Sequence, residues 1–106
     1  MIEQIHWSRR AEQSYGKIID YIAAQFGKPR ARKFVKDVYS EVEKLPANPR
    51  LGQVEPLLEG ARYEFRRLVI KDLTKVVYRI TERGIEIVDV WDVRQDPKEL
   101  AARVLD

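Results

Sequence analysis

Basic side chains recur along the stretch from Arg62 to Pro97, in which three apolar and aromatic runs are separated by short polar breaks. Runs of this length and alternation are typical of β-strands, so the stretch predicts a sheet that carries positive charge. Such a surface would attract a polyanion or an acidic protein segment. On charge alone, a set of solvated helix and strand faces is the simpler interpretation.

The distribution of charge indicates where such a partner would bind. The net charge is +3, but residues 28–50 and 62–84 each carry +4, whereas residues 51–61 and 85–106 carry −2 and −3. We therefore expect an acidic partner to contact the second helix and the first two sheet strands. For residues 28–36, KPRARKFVK, a plain solvated helix face is equally consistent with the pattern.

The composition argues against several other kinds of chemistry. The 106 residues include no cysteine and a single histidine, which excludes a disulfide framework, a cysteine-based zinc site and a thiol nucleophile. We predict no metal, no cofactor and no membrane contact, because no apolar run approaches the roughly 18 residues that span a bilayer. No leading signal segment is recognisable, so we expect a cytoplasmic protein. The length fits one domain over residues 1–106.

Two amphipathic helices are predicted before the charged strands. Ser8 is a suitable N-cap for the first helix and Gly27 ends it. Pro29 suits the first position of the second helix, and Pro46 is expected to stop it. The short connection between the helices predicts an antiparallel hairpin whose apolar faces cover a sheet. The two apolar stripes are Ala11, Tyr15, Ile18, Ile19, Ile22 and Phe26, and Ala31, Phe34, Val35, Val38, Val42 and Leu45.

Residues 1–7 and 46–61 complete the first half of the chain. The opening residues predict a short strand. Residues 46–61 contain three prolines and two glycines without a usable period, so they predict an ordered connecting loop. Its expected anchors on the core are Leu51, Val54, Leu57 and Leu58.

The strands differ in how their apolar residues alternate. In the first, apolar parity slips at Arg66-Arg67, which predicts a β-bulge or, alternatively, a strand buried on both faces; we favour the bulge. The second strand alternates an apolar face (Val76, Tyr78, Ile80) with a basic-polar one (Lys75, Val77, Arg79, Thr81). The third, Ile85 to Val93, is apolar on both parities, which predicts a central strand.

The turns and the last helix have local signals of their own. Lys71-Asp72-Leu73 and Glu82-Arg83-Gly84 are the expected turns, with Gly84 available for a positive φ. Asp96 as N-cap and Pro97 in the first turn start a closing helix. The predicted fold is α+β, in the order β-α-α-β-β-β-α, with a helical hairpin and the closing helix packed on one face of a mostly antiparallel sheet.

The chain also resembles a known family. The motifs that carry the resemblance are Trp7-Ser8 with Ala11 and Tyr21-Ile22, Leu45-Pro46, Asn48-Pro49-Arg50-Leu51-Gly52, Tyr63-Glu64-Phe65-Arg66-Arg67-Leu68, Lys75-Val76-Val77-Tyr78-Arg79-Ile80 and Val93-Arg94-Gln95-Asp96-Pro97. In this order and spacing they are similar to the RelE/ParE superfamily of bacterial type II toxins. The resemblance implies a toxin neutralised by a cognate antitoxin, in a hetero-oligomer with it. RelE-like members cut messenger RNA on the ribosome without a metal, whereas ParE-like members inhibit DNA gyrase.

The resemblance assigns residues to each activity. For an RNase, the catalytic cations would be Arg66, Lys75 and Arg94, although Lys75 stands where the nuclease pattern has arginine and cannot form a bidentate phosphate clamp. For contact with the target or antitoxin, we predict a second set of cations. This set is Arg62, Arg67 and Arg79 on the sheet with Lys33 and Lys36 on the second helix.

The groups that would transfer protons are harder to find. RNA cleavage through the 2′-hydroxyl needs a base and an acid beside the cations. RelE-like nucleases place a tyrosine or histidine near the C-terminus, and this chain has neither after Trp91. We expect Tyr78 to be buried, Tyr63 to be exposed, Glu64 to form a cross-strand pair and His6 to be a strand-edge or packing residue. This favours gyrase inhibition, with messenger RNA cleavage and a degenerate interaction module as alternatives.

Overall fold

The computed structural model describes residues 4–71, 74–92 and 97–105. Its sheet has the order β1-β5-β4-β3-β2; β1 and β5 are parallel and the other pairs are antiparallel. The predicted α+β order is confirmed, with a two-residue strand added. The elements are β1 (Gln4–Trp7), α1 (Arg9–Phe26), α2 (Lys28–Val42), β2 (Gln53–Val54), a 3₁₀ turn (Pro56–Leu58), β3 (Phe65–Ile70), β4 (Thr74–Thr81), β5 (Gly84–Asp92) and α3 (Pro97–Leu105).

Ser8 starts α1 and also ties it to the sheet. Its Oγ accepts a hydrogen bond from the Ala11 amide at 3.0 Å, which confirms the predicted cap. The same hydroxyl donates to the Val88 carbonyl at 3.1 Å, and the Ser8 amide donates to Ile87 at 3.0 Å. The helix ends at Gly27, whose φ of 93° favours glycine. The first turn of α1 is therefore attached to β5, and the helix ends at a residue whose backbone conformation favours glycine.

The second helix is shorter than predicted. It begins at Lys28, so Pro29 is its second residue and not its first as predicted. It ends at Val42, four positions before Pro46. The chain continues in tight turns, in which the Leu45 amide donates to the Val42 carbonyl at 3.0 Å. This turn keeps Leu45 fully buried on the same side as the helical stripe. The apolar spacing that predicted the helix therefore continues to Leu45, three residues after the helix ends.

The sheet separates two cores, and the helices lie on both of its faces. On one face the hairpin of α1 and α2 covers the larger core. On the other, α3 and the 3₁₀ turn cover a smaller core of Leu58, Phe65, Val77, Trp91 and Leu100. The prediction that all helices share one face is thus wrong for α3. The larger core consists of Ala11, Phe34, Val38, Val42, Leu45, Leu68, Ile70, Val76, Tyr78, Ile85, Ile87 and Val90.

Burial on both faces explains the parity slip in β3. The strand pairs regularly with β4 from Phe65 to Ile70, so the favoured bulge at Arg66-Arg67 is wrong and the alternative is right. Phe65 points into the smaller core, while Leu68 and Ile70 point into the larger one. The register shift lies instead between β4 and β5, where Val88 is the extra residue. β5 is an interior strand, but the middle strand of the five is β4.

The face of β4 that was predicted to be basic and polar is also covered. Val77 is fully buried and Lys75 is 6% exposed. Arg79 and Thr81, nearer the strand end, are partly exposed. The face of β4 that was expected to present positive charge is therefore buried along half of the strand.

The connecting loop is anchored by polar contacts rather than by its leucines. Of the predicted anchors only Leu58 is buried; the exposed fractions of Leu51, Val54 and Leu57 are 40%, 43% and 39%. Instead, the Tyr78 hydroxyl donates to the Pro49 carbonyl at 2.7 Å and accepts from the Gly52 amide at 2.9 Å. One buried hydroxyl thus holds the loop against the middle strand.

Both predicted turns contain a residue with a positive φ angle. Gly84 has the expected positive φ, at 135°, and Lys71 has one at 53°. The predicted turn residues Asp72 and Leu73, the N-cap Asp96 and the candidate cation Arg94 lie outside the described residues. None of the described helices has the length and apolarity needed to cross a bilayer.

Candidate functional site

Lys75, a predicted catalytic cation, is buried in an ion pair. Its Nζ donates to Oε1 of Glu55, whose side chain is fully buried. The other carboxylate oxygen accepts from the Leu57 amide at 2.8 Å and lies 3.9 Å from Arg67 Nη1. Glu55 therefore neutralises Lys75 and caps the 3₁₀ turn at the same time. In this arrangement Lys75 has no free charge to offer a phosphate.

Arg66 projects from the opposite face of the sheet. In the β3–β4 register Arg66 pairs with Tyr78, whereas Lys75 pairs with Val69. Positions of opposite parity on paired strands point to opposite faces. Arg66 donates to the Gly52 carbonyl at 2.8 Å and its Nη2 lies 3.0 Å from Glu64. The structure does not bring these two predicted catalytic cations together.

The candidate groups for proton transfer have structural contacts. Tyr78 is fully buried, as expected, and burial raises the pKa of its hydroxyl above the usual 10.0. Tyr63 is 47% exposed, as expected, with the Arg79 guanidinium 4.4 Å from its ring centre. Glu64 contacts Arg66, two positions along its own segment, and Arg50 in the connecting loop, so the predicted cross-strand pair is wrong. His6 is exposed on the edge strand β1. The described residues include no group of three His, Asp or Glu side chains that could bind a metal.

The remaining predicted binding residues are dispersed. On the sheet, Arg79 pairs with Glu86 at 2.6 Å, and Arg62 lies 5.4 Å from the Tyr63 ring centre. Arg67 reaches the buried Glu55 at 3.9 Å. On α2, both predicted lysines are exposed, but only Lys33 lines the groove between the helical hairpin and the sheet.

A groove of about 990 Å³ lies between the helical hairpin and the ends of β3, β4 and β5. Among the described residues that line it, six are basic and two acidic, a net charge of +4 that exceeds the +3 of the whole chain. Clustered charge of one sign in a cleft raises the local concentration of an oppositely charged partner. The basic residues are Arg10, Lys17, Arg30, Lys33, Lys71 and Arg103, and the acidic ones are Asp37 and Asp92.

The floor of this groove is apolar and incompletely covered. It is formed by Ile18, Ile22, Phe26, Phe34, Ile70 and Val90. Phe26 is 61% exposed and Tyr21, also in the lining, is 47% exposed. Exposed apolar surface with a polar rim is typical of an interaction site. The sequence supplied both helical stripes, but only the packed hairpin shows which part of each stripe the sheet leaves uncovered.

One end of the groove is formed by a buried polar cluster that the sequence analysis missed. Arg103 of α3 donates through Nη2 to Asp89 Oδ1 at 2.8 Å and to the Ser14 hydroxyl. Its guanidinium carbon lies 4.9 Å from the ring centre of the buried Trp91. Asp89 is fully buried, and burial raises its pKa from 3.8, while the Ser14 hydrogen bond and the charges of Arg103 and Arg10 oppose the rise. An aspartate between two valines, in a strand with apolar residues on both parities, was the available signal.

Comparisons with known proteins agree with this architecture. A family model described as the ParE toxin of the type II toxin–antitoxin system, parDE, matches residues 5–97. No curated protein matches the sequence. A solved chain of the "Chromosomal ParDE TA system from P. aeruginosa" is similar, with a TM-score of 0.70 and 21% identity over 86% of this chain and 96% of that chain. That likeness concerns the fold, whereas the family model spans most of the sequence, and the chain therefore belongs to the ParE toxin family of type II toxin–antitoxin systems.

Proposed function

We propose that this toxin acts in the cytoplasm by binding DNA gyrase and inhibiting it, and not by cutting messenger RNA. The observation that carries the proposal is the burial of Lys75 against Glu55. Binding a protein target requires a surface, whereas cleavage requires cations, a base and an acid around one phosphate. Gyrase inhibition is also the activity that the resemblance to ParE-like toxins implies.

The RNase alternative conflicts with the geometry of the described residues. Arg66 and Lys75 lie on opposite faces of the sheet, so they cannot stabilise charge on the same phosphorane. The Tyr78 hydroxyl is bound between Pro49 and Gly52, and its raised pKa disfavours the phenolate that would act as a base. These contacts give all three side chains structural roles.

The two activities are separated by assays with the purified toxin. We expect loss of supercoiling by purified gyrase, together with intact messages in a translation extract examined by primer extension. Codon-phased cuts in the message, with supercoiling unaffected, would overturn the proposal. If neither effect appears and expression does not slow growth, the chain is a degenerate interaction module.

We further propose that a cognate antitoxin neutralises the toxin by seating an acidic, amphipathic segment in the groove, which forms a toxin–antitoxin hetero-oligomer. Charge and exposed apolar floor complement such a segment, and short disordered segments commonly fold on binding. Lys17, Lys33 and Lys71 make no ion pair with the described residues, so their charges are available to a partner.

Two neighbouring lysines on α2 provide a matched test of this seat. Lys33 lines the groove and Lys36 is exposed outside its lining. We expect Lys33→Glu to weaken binding of the antitoxin encoded beside the toxin gene by about tenfold at low salt, and Lys36→Glu to change it little. Equal effects of both reversals would show that general charge, and not this groove, governs the interaction.

A further inference from the structure

Arg103 belongs to two structural units at once. It is part of α3, which packs on the sheet face opposite the helical hairpin. It also lines the groove, which lies on the hairpin side. Through Asp89 and Ser14 its guanidinium connects α3 with β5 and α1. No other residue of α3 lines the groove among those that the structure describes.

The docking of α3 depends on few contacts. The helix has nine residues, too few to be stable alone in water. Its apolar contribution is Leu100 in the smaller core, with Ala101 and Val104 packed against that core. The bond from Arg103 to the buried Asp89 is therefore a substantial part of what holds α3 on the sheet.

Two guanidinium groups share this end of the groove. Arg10 lines the groove one helical turn before Ser14, the α1 residue that Arg103 contacts, and the charges of both arginines act on the Asp89 carboxylate. Arg10 is exposed and makes no hydrogen bond or ion pair with any residue in the described part of the chain. The single negative charge of Asp89 is paired with Arg103, so it leaves the positive charge of Arg10 uncompensated, and Arg10 faces the groove.

We propose that Arg10 and Arg103 form a carboxylate-binding subsite at this end of the groove, and that an acidic partner seated there stabilises the docked position of α3. The inference rests on the groove being the partner's seat, as proposed above. A carboxylate meets both guanidinium groups only while α3 is docked, because Asp89, Ser14 and Trp91 hold Arg103 in place only then. Since binding linkage is reciprocal, the carboxylate must then favour docking.

The test uses the full chain and a synthetic amphipathic peptide of about 20 residues, with leucines at helical spacing and glutamates flanking them. Amide hydrogen exchange of α3 is measured by mass spectrometry with and without saturating peptide. We expect exchange of α3 amides to slow by about fivefold or more. Because α3 reaches the groove only through Arg103 within the described structure, direct shielding by the peptide does not account for that protection.

Three variants distinguish the subsite of Arg10 and Arg103 from binding of the peptide elsewhere in the groove. In Arg103→Met the peptide should bind about five- to tenfold more weakly and still slow exchange in α1 and α2, but not in α3. Ser14→Ala, which removes one anchor of Arg103, should reduce the protection of α3 without unfolding the chain. In Lys33→Met, binding should weaken while protection of α3 at saturation remains.

The outcomes that contradict the proposals differ from one another. Unchanged or faster exchange of α3 in the parent at saturation, or full affinity in Arg103→Met, overturns the coupling and leaves the groove as the seat. Absence of peptide binding to the parent overturns both. Gyrase inhibition is measured separately and is affected by neither result.

Discussion

Replacing Lys75 with methionine distinguishes a structural role for this residue from a catalytic one. Methionine keeps most of the length and apolar volume of the lysine stem but removes the charge and the donor. Glu55 would then remain fully buried beside Arg67, which approaches it only to 3.9 Å. The substitution therefore leaves a buried carboxylate without its main partner.

The structure sets the size of the expected loss. Removing one partner of a buried ion pair costs about 3–5 kcal/mol, and residual compensation by Arg67 places Lys75→Met near the lower value. With a urea dependence of about 1–1.5 kcal/mol per molar for a chain of this size, the unfolding midpoint should fall by about 2–3 M. The double variant Lys75→Met/Glu55→Gln should recover much of this loss, because glutamine keeps an acceptor for the Leu57 amide while removing the charge.

Urea titrations followed by circular dichroism measure these stabilities, and supercoiling assays on the folded protein measure the activity. We expect the double variant to inhibit gyrase as the parent does. A Lys75→Met midpoint equal to that of the parent would refute the buried pair. Loss of activity in a well-folded double variant would instead show that Lys75 acts on the target.

Four further substitutions test the contacts that hold the fold together. Gly52→Ala should lower the free energy of unfolding by about 2 kcal/mol or more, because a Cβ there would lie 2.5 Å from the Arg67 carbonyl oxygen. Gly16→Ala should raise it by about 0.5–1 kcal/mol in the same urea titration, because a Cβ at this helical position has nothing within 4 Å. Ser8→Ala should cost about 1–2 kcal/mol and raise hydrogen exchange in the first turn of α1, since it removes both the cap and the bond to Val88. Asp89 binds its proton more tightly in the folded state, despite Arg103, Arg10 and Ser14 facing it. Its contribution to the free energy of unfolding is therefore full below about pH 3.8 and is lost as pH rises through the folded pKa, and thermal melts of Asp89→Asn across mildly acidic pH should lack this decline.

Local chemistry made the helices predictable from the sequence. An N-cap hydroxyl, a glycine that tolerates positive φ and a proline in a first turn act within a few residues of their position, so Ser8, Gly27 and Pro29 indicated the hairpin correctly. The alternation in β4 likewise placed Tyr78 in the larger core. The end of α2 was misplaced because a turn can continue an apolar stripe after helical hydrogen bonding stops.

Burial on the second face of the sheet was not predictable from periodicity. Alternation distinguishes the two faces of a strand but does not tell whether another element covers the polar one. Lys75 therefore predicted a free cation, whereas Glu55, twenty positions earlier, neutralises it beneath the 3₁₀ turn. For the same reason, the change of apolar parity in β3 was interpreted as a bulge, whereas it arises because the strand is buried on both faces.

The charge of the chain was evident in the sequence, but its location was decided by the tertiary structure. Segment sums assigned the positive excess to the second helix and the sheet strands. Folding instead gathers cations from all three helices and from the end of β3 around one groove, where they outnumber the acidic side chains six to two. Arg10 and Arg103 are 93 positions apart in the sequence and line the same groove only because the Arg103 side chain reaches from α3 past β5 to Ser14 of α1. The position of charge on a folded protein depends on which elements pack together, so the charge pattern of the sequence predicted an acidic partner, and only the packed structure supports the proposal that this groove is its seat.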